Sequence, residues 1–171
     1  DFLPEGEGLS AKHLLKNSKK LIILKAFTKL YGMAGVRLGY CLCSDTELLA
    51  RMRAAGQPWA VSSLAQAAGI AALDETEYVA KVRALIEAQR PVLADGLRAL
   101  GLRVIEGRAN YLLFRAPEAL GEALRRKGAV LRSCGNYPGL DASWYRTAVR
   151  TENENRQLLA LLAETLPEVA Q

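Results

Sequence analysis

The sequence predicts an α/β protein, because segments with the apolar patterns of strands and of helices alternate along its 171 residues. Short apolar runs beside glycine or polar residues, such as LIILKA, indicate strands. From Val79 to Leu100, apolar residues recur at steps that place them on one face of a helix. From about residue 90 onward, strand and helix patterns follow one another closely enough to predict a compact α/β layer domain.

The strands are predicted from apolar runs that contain β-branched and aromatic residues. In chain order they cover residues 21–26, 36–43, 102–107, 110–116, 129–135 and 145–150. A loop that contains Gly32 and Gly35 separates the first two strands. Residues 1–20 are polar and rich in lysine, so we expect a connecting helix or loop there.

The first helix is predicted from a capping signal. Ser44 and Glu47 have the spacing of a capping box, which predicts a helix that extends to about Ala55. The segment GQPWAVSS then breaks the chain, and residues 64–73 after it are almost all apolar.

The later helices are predicted from periodicity and from a second capping signal. Pro91 lies inside the long helix that ends near Leu100, and it should bend or split that helix. Another helix is predicted over 118–127. Thr151 and Glu154 form a capping box that opens the last helix, which carries several leucines.

The composition excludes several classes of protein. No apolar run approaches the ~20 residues that a membrane-spanning helix needs, and the start shows no secretory leader, so we expect a cytoplasmic protein without membrane contact. The cysteines Cys41, Cys43 and Cys134 are odd in number and predict no disulfide framework. With His13 as the single histidine and no clustered cysteines, we expect no metal site.

The net charge of +5 is mild, and its distribution argues against nucleic acid. The basic residues are scattered along the sequence and lack interleaved aromatic residues, so a nucleic-acid partner is not expected. An anionic small ligand accounts for the same surplus of positive charge.

The segment LIILKAFTKLYGMAGVRLGY is a candidate site for such an anionic ligand. It places Lys29 and Arg37 eight residues apart, on either side of a loop that contains Gly32 and Gly35. Two cations near flexible backbone beside a strand favour an anionic ligand. The alternative is an ordinary solvated turn that happens to be basic.

FTKLYGMAGVRLGY resembles the cofactor-lysine signature of the class I and II aminotransferases, the fold-type-I pyridoxal phosphate enzymes. The resemblance implies that Lys29 is the catalytic residue, which holds the cofactor aldehyde as a Schiff base. It also implies that Arg37 binds the cofactor phosphate and that Thr28 is a further cofactor-binding residue. An amine attacks an aldehyde only when uncharged, a form that partial burial and a neighbouring cation favour. One departure is Ala26, which stands where the family often has a Ser or Thr that bonds the phosphate.

The segment LRSCGNYPGLDASWYRTAVRTENENRQLL resembles the C-terminal region of one branch of this family, which contains threonine-phosphate decarboxylases and histidinol-phosphate aminotransferases. The resemblance implies that Arg146 binds the anionic group of a phosphorylated amino-acid substrate and that Arg132 assists. NYPGL and the double arginine of YRTAVRT favour a decarboxylase of cobalamin biosynthesis; the alternative is histidinol-phosphate or a related aminotransferase. Arg150 is left open between a third ligand-binding cation and a surface ion-pair partner. Tyr137 and Trp144 are left open between lining the site and packing, with packing favoured.

The resemblance covers essentially the whole chain but only the C-terminal half of the family's length. It implies an α/β fold formed by the end of the large-domain sheet and a small α/β sandwich domain. The implied regions are a large-domain remnant over 1–62, an interdomain helical region over 63–90 and the small domain over 91–171. The implied partners are the missing N-terminal half and a second copy of the chain. A non-catalytic remnant that associates without cofactor is the alternative from another class.

Overall fold

The computed structural model describes residues 1–3, 8 and 10–169. The chain divides into two compact units, each described by itself below. The first unit contains Asp1 with Leu3–Val82, and the second contains Phe2 with Arg83–Gln171. The alternation of helices and strands confirms the α/β class predicted from the sequence. Among the described residues, no helix combines the length and apolar character that crossing a membrane requires.

The first unit is built around an antiparallel hairpin. Strands β1 (Ile23–Ala26) and β2 (Gly39–Leu42) pair so that Ala26 lies opposite Gly39. Short 3-10 helices precede β1 at Ala11–Asn17 and β2 at Ala34–Val36. The second strand therefore begins three residues later than predicted, because residues 34–36 turn instead of extending.

Helix α1 (Thr46–Ala55) ends at the predicted residue, but its predicted cap is wrong. Asp45, not Ser44, is the N-cap: its Oδ1 accepts a hydrogen bond from the backbone N–H of Leu48 at 2.9 Å. The hydroxyl of Ser44 instead donates to the backbone oxygen of Ser18 at 2.9 Å. Two adjacent residues that can both cap leave the choice to the tertiary contacts of each.

Helix α2 (Ser63–Asp74) packs against both ends of the loop between β1 and β2. Its buried positions are Ala65, Gly69 and Ala72, which lie on one face. A Cβ atom added at Gly69 would lie 2.4 Å from Cδ2 of Leu38 and 3.8 Å from Cζ of Phe27. The absent side chain at Gly69 therefore lets the helix approach the residues at which this loop starts and ends.

Helix α3 (Thr76–Ala99) runs through Pro91 without a break, so the helix is not split there. Proline in a helix interior costs about 3 kcal/mol. Ile86 on one side of it and Leu93 and Leu97 on the other are all buried. Burial of each such side chain contributes about 1.5–3 kcal/mol, which offsets the backbone cost.

The second unit contains a four-stranded antiparallel sheet in the order β3-β4-β6-β5. Its strands are β3 (Arg103–Ile105), β4 (Tyr111–Arg115), β5 (Arg132–Ser133) and β6 (Trp144–Ala148). Its helices after α3 are α4 (Leu120–Arg126) and α5 (Glu152–Val169). The strand predicted over 129–135 is reduced to two residues, because only Arg132 and Ser133 pair with β6.

The two faces of this sheet differ in burial. The buried face carries Leu112 and Phe114 from β4 and Tyr145 and Thr147 from β6. The hydroxyl of Tyr145 donates to the backbone oxygen of Glu118 at 2.6 Å, which ties β6 to the start of α4. We call the opposite face, on which side chains are exposed or half-buried, the outer face.

The last helix confirms its predicted start. The backbone N–H of Thr151 donates to Oε2 of Glu154 at 3.2 Å, and the N–H of Glu154 donates to Oγ1 of Thr151 at 3.5 Å. The strand before it ends at Ala148, earlier than predicted, because the buried Asn155 bonds both backbone groups of Arg150. That pair of bonds turns the chain from strand to helix.

Candidate active site

The loop between β1 and β2, residues 27–38, is here called the lysine loop. The backbone N–H of Phe27 donates to the oxygen of Leu38 at 3.2 Å, and that of Met33 donates to the oxygen of Phe27 at 3.2 Å. Phe27 and Leu30 are buried, which anchors the loop. Gly32 has a φ of 66°, a left-handed conformation that favours glycine.

The lysine loop carries both predicted cofactor cations at its surface. Lys29 and Arg37 are exposed and Thr28 is half-buried. The partial burial expected for Lys29 is not found, because the loop directs Phe27 and Leu30 inward on either side of it. Within the described residues, neither Lys29 nor Arg37 forms an ion pair.

Arg37 has an uncommon backbone conformation. Its φ of 57° lies in the left-handed region, which non-glycine residues enter rarely and which clusters at functional sites. Its Nη1 donates to the backbone oxygen of Ala34 at 3.2 Å, and the remaining donors of its guanidinium meet no described acceptor. The guanidinium is thus fixed to the loop by one hydrogen bond, and its other N–H donors are available to a ligand.

The donor set of the lysine loop suits a phosphorylated aldehyde. Lys29 supplies an amine, Arg37 a permanent cation and Thr28 a hydroxyl. A Cβ added at Gly35 would meet no atom within 4 Å, so the backbone there is open to a ligand. Ala26 pairs with Gly39 and offers no hydroxyl, so the departure noted in the sequence stands.

The predicted substrate arginines of the second unit lie side by side. Arg132 on β5 is directly opposite Arg146 on β6, and we call these two residues the arginine pair. Opposed residues have Cβ atoms about 4.5–5.5 Å apart, and like charges at that spacing are unfavourable. Within the described chain, neither arginine of the pair contacts a carboxylate. The pair is therefore a concentrated positive charge without a described counter-ion.

Each arginine of the pair is instead held by uncharged groups. Cζ of Arg146 lies 4.8 Å from the ring centroid of Tyr111, and Cζ of Arg132 lies 5.9 Å from that of Tyr137. Nη2 of Arg132 also donates to Oδ1 of Asn136 at 3.1 Å. Tyr137 thus contacts an arginine and is not simply a packing residue.

Arg150 lies outside this pair. Its Nε donates to Oε1 of Glu154 at 2.7 Å. The pKa of Glu154 is lowered to about 2, mainly by the hydrogen bond from Arg150 and next by that from Thr151. Of the two alternatives left open for Arg150, the structure favours the surface ion-pair partner. Arg115 is similarly engaged, because its Nε donates to Oγ of Ser143 at 2.8 Å.

The sequence reasoning missed the aromatic residues of the outer face. Basic residues that are scattered in sequence meet aromatic rings here: Arg146 meets Tyr111, and Arg103 lies 5.6 Å from the ring centroid of Trp144. Aromatic residues that are distant from these cations in the sequence are thus their neighbours in the fold. Because side chains alternate along a strand, Tyr111 must share a face with Leu113. The pairing register that brings Arg146 beside Tyr111 has no signal in the sequence.

The family model described as aminotransferase class I and II matches residues 1–162. The chain is 37% identical to the threonine-phosphate decarboxylase of Salmonella typhimurium, with 99% of this chain and 47% of that protein covered. It is also 37% identical to the histidinol-phosphate aminotransferase of Symbiobacterium thermophilum, over 92% of this chain and 44% of that protein. The chain thus spans about half the length of the curated relatives it matches.

Solved structures of enzymes with the same names are also similar to this chain. The histidinol-phosphate aminotransferase from Clostridium acetobutylicum superposes with a TM-score of 0.88 at 31% identity, over 93% of this chain and 49% of that one. The enzyme of the same name from Sinorhizobium meliloti, solved in complex with pyridoxal-5'-phosphate, gives a TM-score of 0.70 at 25% identity, over 88% and 41%. The fold-type-I architecture expected from the resemblance is confirmed. The chain belongs to the class I and II aminotransferase family, whose cofactor is pyridoxal phosphate.

Proposed function

We propose that this chain corresponds to the C-terminal half of a pyridoxal phosphate enzyme that acts on a phosphorylated amino acid, with threonine-phosphate decarboxylation as the leading reaction. The observation that carries the proposal is the arginine pair, which lacks a carboxylate partner within the described chain. Two opposed guanidinium groups without a counter-ion suit a doubly charged phosphate. The relatives whose names include a phosphorylated substrate support that reading.

The lysine loop would hold the cofactor. Lys29 would bind it covalently, while Arg37 and Thr28 would contact its phosphate. When bound, the cofactor supplies an electron sink for the pair left behind when a bond at the substrate Cα breaks. The residues of the chain do the rest: the amine of Lys29 would accept a proton in its uncharged form and deliver it from the resulting ammonium form, and Arg37 would supply a charge that persists at every physiological pH.

The arginine pair would orient the substrate. We assign Arg146 the principal contact with the substrate's anionic group and Arg132 the assisting contact. A substrate held at its anionic end presents a fixed direction at Cα, and that direction selects which bond is broken. Loss of carbon dioxide or loss of a proton thus depends on this anchorage more than on the lysine loop.

Histidinol-phosphate or a related aminotransferase is the alternative within the family. Relatives of both kinds match at 37% identity. The double arginine favoured the decarboxylase, but Arg150 is engaged by Glu154 and adds little to that preference. Threonine phosphate supplied to the longest polypeptide that contains this chain separates the two. Carbon dioxide released without 2-oxoglutarate supports decarboxylation, and strict dependence on that acceptor refutes it.

The cofactor assignment is tested on the chain itself. Pyridoxal phosphate is added, borohydride reduction fixes it to the amine that holds it, and the modified peptide is mapped. We expect the label on Lys29, with little on the exposed Lys12, Lys16 and Lys81, and a loss of that label in Lys29→Ala. Label spread evenly over the surface lysines would instead support the non-catalytic remnant, which the exposure of Lys29 favours.

The remaining parts of the proposal concern organisation. We propose a large-domain remnant over 1–62, an interdomain helical region over 63–90 and a small domain over 91–171. We also propose that the active form is a homodimer completed by the half of the family's length that this chain does not span. The predicted cytoplasmic location stays a prediction.

A further inference from the structure

Arg146 is held in an unusual way for a charged side chain on a sheet. It lies opposite another arginine and, in the part of the chain that the structure describes, contacts no carboxylate. Its recorded side-chain partner is the ring of Tyr111, whose centroid lies 4.8 Å from Cζ. A guanidinium at this distance from a ring is attracted by the negative face of the ring.

The contact follows from the register of β4 and β6. Arg146 lies directly opposite Leu113, so Tyr111, two residues earlier on β4, is its diagonal neighbour on the outer face. Tyr111 is 42% exposed and is not a core residue. Its ring is therefore free to cover the guanidinium without giving up contacts in the buried core.

A ring and a carboxylate hold an arginine with different consequences. A carboxylate occupies the N–H donors in the guanidinium plane, as Glu154 does with Nε and Nη2 of Arg150. A ring contacts the flat face and leaves the in-plane donors free. Only the second arrangement both fixes the side chain and keeps it available for an incoming anion.

We propose that Tyr111 is a positioning residue that holds the guanidinium of Arg146 ready for the substrate's anionic group. This inference rests on the proposed function of the arginine pair and extends it to a residue outside the pair. Arg132 needs less help of this kind, because Asn136 accepts a hydrogen bond from it and Tyr137 lies further away, at 5.9 Å. The dependence on a ring is therefore specific to Arg146.

The test is a double-mutant cycle on the 171-residue chain, with inorganic phosphate as the probe and the arginine Nε–H NMR signals as the readout. Tyr111→Leu removes the ring, and we expect phosphate affinity to fall about two- to fivefold, the equivalent of an exposed cation–π contact. Tyr111→Phe keeps the ring and should retain the affinity of the original chain. Tyr111→Ile serves as a second ring-free variant with strong strand propensity.

The combination with Arg146→Gln decides the matter. If Tyr111 acts through Arg146, its replacement has no further effect in the Arg146→Gln background. An equal loss in both backgrounds, or no loss from either ring-free variant, overturns the role of Tyr111 and leaves the arginine pair intact. If Arg146→Gln itself leaves phosphate affinity unchanged, the proposed substrate role of Arg146 fails, and this inference fails with it.

Discussion

Glu154 bonds two residues, Arg150 and Thr151, at the point where the sheet of the second unit gives way to α5. Its carboxylate accepts hydrogen bonds from Nε of Arg150 and from Oγ1 and the backbone N–H of Thr151. These bonds favour the charged form and lower the pKa from its ordinary value of 4.5 to about 2. The charged form of Glu154 is therefore more stable, relative to the protonated form, in the folded chain than in the unfolded one.

We expect this carboxylate to give the folded chain a pH-dependent contribution to its stability. Because the pKa is depressed on folding, the contribution is complete above pH 4.5 and is lost as pH falls from 4.5 to about 2. Glu154→Gln should lower Tm at pH 6 and flatten the fall in Tm over that window. Thermal unfolding at a series of pH values measures both effects.

Arg156→Gln is the matched control for this experiment. It removes the ion pair between Arg156 and Glu152 on the same helix and leaves the bonds of Glu154 in place. Its fall in Tm between pH 4.5 and about 2 should resemble that of the original chain. An unchanged pH profile in Glu154→Gln would show that the hydrogen bonds to Arg150 and Thr151 do not persist in solution.

At the scale of single residues, a sequence pattern identifies a role well where no neighbouring residue can take the same role. Thr151 and Glu154 were predicted as a capping box, and both reciprocal bonds are present. The same pattern at Ser44 failed because Asp45 beside it also caps and wins the position. Exposure could not be predicted for Lys29, since it depends on which neighbouring side chains turn inward.

At the scale of elements, the β1–β2 hairpin explains one glycine of the cofactor-lysine signature and not another. A Cβ added at Gly39 would lie 2.8 Å from the backbone oxygen of Lys25, which cannot move without breaking the pairing. A Cβ added at Gly35 would meet nothing within 4 Å. Gly39 is thus required by the fold, whereas the fold gives Gly35 no steric reason to be glycine.

We expect Gly39→Ala and Gly35→Ala to separate structural from ligand-dependent effects. Gly39→Ala should destabilise the hairpin by about 1–3 kcal/mol, the usual cost of an overpacked site, and reduce labelling of Lys29 as a consequence. Gly35→Ala should leave the hairpin intact and reduce labelling by pyridoxal phosphate alone. Hydrogen exchange of the β1 and β2 amides reports the first effect, and peptide mapping after borohydride reports the second.

The two variants check each other. If Gly35→Ala accelerates hydrogen exchange as much as Gly39→Ala does, the open backbone at Gly35 has a structural role that its contacts do not reveal. If neither variant alters the labelling of Lys29, the lysine loop does not depend on backbone approach at these positions.

The order of elements was largely predictable from the sequence, whereas their lengths and pairing were not. Apolar periodicity identified every strand of the second unit, but β5 kept only two of seven predicted residues because strand length depends on the partner strand. In the candidate site, too, the residues were predictable from the sequence and their pairing was not. Lys29, Arg37, Arg132 and Arg146 were found from motifs, while the opposition of the arginine pair and the ring of Tyr111 required the register.

At the scale of the whole molecule, the first unit leaves much apolar surface uncovered. The exposed fractions are 96% for Trp59, 82% for Leu64, 77% for Leu24 and 68% for Ile70. Two of these residues, Leu64 and Ile70, lie on different sides of α2, and a helix that is apolar all round is normally buried. A two-stranded hairpin is also marginally stable by itself. Both features suit a unit that another segment of polypeptide covers.

We expect the half of the family's length that this chain does not span to cover this surface. Supplied as a separate polypeptide from a relative, it should slow hydrogen exchange in β1, β2 and α2, because their apolar residues and open strand edges become buried. Exchange in β4 and β6, which already lie inside a four-stranded sheet, should change little. Mass spectrometry of the exchanged peptides resolves the two sets.

Ile70→Glu provides the decisive variant, because a residue that is 68% exposed can accept a charge without disturbing the fold of the chain itself. It should abolish the added protection of α2 while leaving the exchange of the chain alone unchanged, since burying an unpaired carboxylate costs far more than leaving it in water. Ala80→Glu, at an exposed residue of α3, adds the same single negative charge and should preserve the protection. Equal protection in both variants would mean that the covering segment binds elsewhere, and that the apolar surface of α2 is not where the two halves meet.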